Sequence, residues 1–168
     1  MLVYLFGVGL NGERKMKTRQ GFVSNSSSSS FVIIGTGNIN IPEKDDFLSA
    51  NDSSIFVISA KNGGTRLFGW EEGRHRRFED RLNFAAIQAR DGGQEYVDML
   101  RKVVCKAFGT KDIKILLSND YDGGEWAYID HQSSITEGQN KELFDSEEAL
   151  YNFLFSDNSE IHTDNDNK

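Results

Sequence analysis

Cysteine and proline are nearly missing from this chain: Cys105 and Pro42 are the sole examples in 168 residues. A lone cysteine excludes an internal disulfide framework and a cysteine-rich zinc site. No apolar run approaches the roughly 20 residues that span a bilayer. The most apolar stretch, Leu2 to Leu10, is too short for that. It also lacks the basic flank and small-residue cleavage site of a secretory signal. The expectation is a soluble, cytoplasmic protein with no membrane segment. The chain contains no H-E-x-x-H, no C-x-x-C, no calcium-loop pattern and no Walker lysine, so no motif announces a metal, nucleotide or cofactor. Positive charge is in short supply too, with 19 Lys and Arg against 26 Asp and Glu and a net charge of −7. That balance argues against a broad phosphate-binding surface, and nucleic acid is not the expected partner. A hydrophobic share of 38% with 12 Phe is enough for a folded core.

What is present starts with Gly21-Phe-Val-Ser-Asn-Ser-Ser-Ser-Ser-Ser-Phe31. A serine run usually marks a linker, because serine buries little apolar area. Here it is clamped between Phe22-Val23 and Phe31-Val-Ile-Ile34. One reading is a tight surface loop between two apolar anchors. The other is a small-residue cradle for an anion, built from Ser24, Asn25, Ser26, Ser27, Ser28, Ser29 and Ser30 through hydroxyls and backbone N–H groups.

The words from Lys17 to Val32 resemble the opening of a loose group of small proteins of bacteriophages and bacteria. Those chains carry a basic pair and then G-F-V-S-N-S-S-S-S-S-F close to a starting Met. The resemblance spans about residues 16–34, and it implies a phage or prophage setting and a motif near an N-terminus; it brings no activity with it. Residues 1–15 push the motif inward, and Gly12-Glu-Arg-Lys15 are encodable by purine-only codons, as a ribosome-binding site before Met16 would be. They read either as a translated leader ahead of Met16 or as an extra β-strand ending at an Asn11-Gly12 turn.

Further along, residues 31–36 and 54–60 read as strands, the second nearly continuous in apolar residues and so central. Asn62-Gly-Gly64 signals a turn, after which residues 65–70 return as a hairpin partner. Arg74-His-Arg-Arg77 is a basic cluster flanked by Glu71, Glu72, Glu79 and Asp80, which points to a solvated helix start with local ion pairs. Phe78, Leu82, Ala85, Ala86 and Ala89 recur at helical spacing and predict an amphipathic helix over residues 78–90. Tyr96, Leu100, Val103, Val104, Ala107 and Phe108 mark the strongest helix, with Gly109 placed to cap it. Residues 112–118 and 125–130 read as two antiparallel strands about an Asn119–Gly124 turn. A last helix opens at Asp145, with Glu148 completing a capping box and Phe144 a staple. Beyond it the chain is polar, which predicts fraying.

Two histidine–carboxylate groupings carry the available chemistry: Asp130-His131 after a strand, and His162 with Asp164 near the end. Imidazole and carboxylate would suit a divalent metal, or an Asp would orient a His as a general base. Neighbouring strand residues face opposite ways, so Asp130 and His131 need a loop to converge. The alternative is that all four are hydrogen-bonded loop residues. No cofactor is called for.

The sequence therefore predicts an α+β fold, with an antiparallel or mixed sheet of about four or five strands and two or three helices packed on one face. Residues 16–156 form one domain and residues 157–168 a polar tail. The favoured function is a phage-derived, non-enzymatic protein that binds a host or phage protein. The alternative is a small metal-dependent or acid/base hydrolase using Asp130, His131, His162 and Asp164.

Overall fold

Two helices of fifteen residues, α1 (Phe78–Gly92) and α2 (Gln94–Phe108), meet at Gly93 in the computed structural model, which describes residues 28–69, 72–118 and 125–165. α2 follows the predicted periodicity, burying Leu100, Val103, Val104 and Phe108. It ends where Gly109 takes a left-handed φ of 67° and donates its N–H to the Cys105 carbonyl. An L side chain resists that backbone, which is why glycine stands there. Cys105 packs, partly buried, against the core.

α1 departs from expectation. In place of one apolar face it is buried on all sides from Asp80 to Ala89, including Asp80, Arg81, Asn83 and Gln88. Those polar side chains satisfy the backbone of neighbouring loops. Asp80 Oδ1 accepts from the Thr65 N–H at 2.6 Å, and Asn83 donates to the Gly63 and Thr65 carbonyls, each at 3.1 Å. Gln88 donates to the Ser133 carbonyl and accepts from the Ile135 N–H, both at 2.8 Å. Arg81 Nη1 donates to the carbonyls of Phe153 (3.0 Å) and Ser156 (2.5 Å). Buried loops need such partners, because an unpaired buried carbonyl or amide is costly.

The described residues hold nine short strands, and the fold is α+β. β1 (Ser28–Ile33), β9 (Glu160–Asn165) and β4 (Gly73–His75) form an antiparallel sheet with β9 in the middle. The remaining strands pair in parallel: β2 (Ile55–Ile58) with β5 (Asp112–Ile115), β3 (Leu67–Phe68) with β8 (Tyr128–Ile129), and β6 (Leu117–Ser118) with β7 (Glu125–Trp126). The predicted hairpin of residues 54–60 with 65–70 is thus not formed. The segment that passes through α1 and α2 is the crossover that a parallel β2–β5 pair requires. The strand at residues 125–130 likewise runs parallel, not antiparallel, to residues 117–118. The polar residues 160–165, expected to fray, instead occupy the centre of a sheet: Ile161 and Thr163 are buried on one face, and on the other Glu160 is buried while His162 and Asp164 are partly or fully exposed.

Helix α3 (Glu147–Phe155) is capped by Ser146, whose hydroxyl accepts from the Ala149 N–H at 3.0 Å, one residue later than predicted. Phenylalanine rings from five segments close the core. Phe47 stacks on Phe56 at 5.1 Å, Phe56 meets Phe108 at 4.6 Å, and Phe78 stacks on Phe155 at 5.6 Å. No helix among the described residues is long and apolar enough to cross a membrane.

Candidate functional site

Asp130 and His131 do converge. β8 ends at Ile129, and Asp130 caps the single 3-10 turn His131–Ser133 by accepting the Gln132 N–H at 3.0 Å. The turn supplies the loop that a straight strand would deny, and Asp130 Oδ1 lies 3.2 Å from His131 Nδ1. The imidazole is 73% exposed while the carboxylate is 13% exposed. His162 sits elsewhere in the fold's logic, on β9, in register between Phe31 of β1 and Arg74 of β4. Its ring meets that of Phe31 edge-on at 4.8 Å. Asp164 is exposed and pairs in register with Ser29. Among the described residues, no three His, Cys, Asp or Glu side chains gather as a metal ion would require. The packing of residues 160–165 onto the sheet therefore gives His162 a neighbour in Phe31 without assembling a metal centre.

Of the serine run, Ser24, Asn25, Ser26 and Ser27 lie outside the described residues. Ser28, Ser29 and Ser30 are extended in β1. The backbone of Ser30 is committed to the fold: its N–H donates to Ser133 Oγ at 2.5 Å and its carbonyl accepts from Asn140 Nδ2 at 3.0 Å. Asn140 also takes the Val32 N–H at 3.2 Å, holding a left-handed φ of 52° to do so. One carboxamide thus stands in for a neighbouring strand along β1. An extended strand sealed in this way does not present the concave row of amides that an anion cradle needs. The Ser30 hydroxyl itself is wholly buried and has no hydrogen-bond partner among the described residues.

The basic cluster finds a partner that its neighbours in sequence do not reveal. Arg74 and Arg76 both reach Glu160 on β9, at 3.5 and 2.5 Å, and Glu160 is buried beneath them. Arg77 pairs locally with Glu79 at 3.3 Å, as the sequence suggests. His75, which the sequence pattern did not single out, turns to the opposite face of the sheet. Burial pushes its imidazole pKa below the ordinary value, with Asp80 partly opposing the shift.

The parallel strands expose a second surface. Phe56, Ile58, Ile113, Leu117, Ala127, Ile129 and Phe68 face inward, and Phe68 meets Phe84 of α1 edge-on at 5.0 Å. Their alternates turn away from α1. Val57 stands opposite Lys114, Leu67 opposite Tyr128, and the Trp126 and Tyr128 rings stack at 6.4 Å. Leu67 is 44% exposed and Leu116 38% exposed. The sequence signal near this face is the nearly continuous apolar run of residues 54–60, a pattern that elsewhere marks a strand buried on both faces. No family model matches the chain, and neither the curated proteins nor the solved structures contain a significant match to it.

Proposed function

We infer that this is a non-enzymatic interaction protein, phage-derived as the serine motif suggests, that binds a host or phage protein through the outer face of its parallel strands. The observation that supports it is the exposure of two leucines, Leu67 in β3 and Leu116 between β5 and β6, while Val57, Trp126 and Tyr128 of the other parallel strands are also left out of the buried core. Large apolar side chains grouped on one surface mark contact sites more often than isolated ones do. Aromatic residues concentrate binding energy at such surfaces.

The test is a quantitative pull-down from the bacterial host with three proteins: the wild type, Leu67→Glu/Leu116→Glu, and His131→Ala. A specific partner should be retained by His131→Ala and bound about tenfold more weakly, or worse, by the leucine variant. Equal binding by wild type and leucine variant overturns the assignment to this face. The hydrolase reading keeps one observation in its favour, an exposed His131 imidazole oriented by Asp130. It gains the upper hand if turnover of a test ester or phosphoester by the wild type disappears in folded His131→Ala.

A further inference from the structure

His75 ends β4, and its ring lies on the inner side of the β1–β9–β4 sheet. Nδ1 is 3.3 Å from Thr65 Oγ1, and the ring meets the edge of Phe68 at 5.4 Å. Nε2 is pressed against the start of its own strand: a Cβ added to Gly73 would lie 3.3 Å from it and 3.4 Å from Thr163 Oγ1. Glycine at position 73 thus makes room for the imidazole beside β9.

The groups around the ring are hydroxyls and hydrocarbon. β9 contributes Ile161 and Thr163, neither of which titrates near neutrality. The segment before β4 contributes Thr65 and Phe68. α1 contributes a nearby carboxylate, Asp80, and its Oδ1 already accepts the Thr65 N–H at 2.6 Å. On β4 itself Arg74 points to the other face, where it and Arg76 reach Glu160. A neutral imidazole fits this site, whereas a charged one would lack a committed counter-ion and repay little of its lost hydration.

We propose that β4 is an acid-released latch: protonation of His75 drives its ring from under the sheet, detaches β4 from β9 and frees Arg74 and Arg76 from Glu160. The proposal does not rest on the binding reading of the parallel strands, although the His75 ring packs on Phe68 of β3. Its direction follows from linkage. Unfolded histidine titrates near 6.5. Because burial holds the folded-state value lower, the contribution of His75 is complete above about pH 6.5 and is lost as the pH falls towards the folded-state pKa.

Hydrogen–deuterium exchange of the full chain at pH 7.5 and 5.5, corrected for intrinsic rates, tests the latch in wild type and His75→Gln. Glutamine stays neutral while keeping a donor and an acceptor. Amides of residues 73–76 and 160–163 should gain exchange in acid in the wild type and not in the variant. Between the two pH values, the wild-type melting temperature should fall further than that of the variant, by about 2 °C or more. Equal acid-induced exchange in both proteins overturns the proposal. Should the variant not fold, NMR titration of wild-type His75 decides: a midpoint well below 6.5 with β4 amides broadening in step sustains the latch, and one at or above 6.5 overturns it.

Discussion

α1 and α2 have the same length and lie next to each other in the chain, yet they solve different problems. α2 is a surface helix. It buries one stripe and leaves Glu95, Asp98, Lys102 and Lys106 in water. α1 is an internal post that keeps its polar residues and spends them on loop backbone. Polar spacing on a helix therefore does not by itself identify the wet side. In α1 the same residues mark the sides on which loops, short 3-10 turns and the C-terminal end of α3 are packed.

Substitutions can break this contrast, and the largest effect is expected at Arg81. Replacing it with Ala removes the donor to the Phe153 and Ser156 carbonyls at once, so unfolding in urea should show a loss of about 3 kcal/mol or more. A loss below about 1 kcal/mol would mean that water replaces the guanidinium without penalty. Gln88→Ala should cost about 2 kcal/mol by the same assay, since it leaves the buried Ile135 N–H without its acceptor and takes one of two donors from the Ser133 carbonyl. On α2 the counterpart is Lys102, which pairs with Glu147 in the open. Lys102→Ala should change stability by about 0.5 kcal/mol or less. If it matched Gln88→Ala, the division between post and surface helix would be wrong.

The same contrast explains what could be read in advance. α2 was legible because its apolar residues repeat every turn and a glycine closes it. The spacing in α1 places the helix but implies a solvent face, since nothing local tells Gln88 that Ser133 and Ile135 lie against it. The strand segments were mostly found, while their pairing was not. Asn119–Gly124 looks like a hairpin turn, and pairing direction depends on contacts made across the crossover. At the candidate site, the approach of Asp130 to His131 needed only a turn after β8, which is local information. The link from Arg74 and Arg76 to Glu160 spans about half the chain and leaves no periodic trace.

β9 lies between β1 and β4 although it is made long after both. During synthesis β1 must wait for about 130 further residues before its partner exists, on the order of ten seconds at ribosomal speed. An unpaired strand exposed for that long is an invitation to pair with another chain. β1 therefore gains its strand partner only when residues 160–165 arrive, while Asn140 holds its opposite edge.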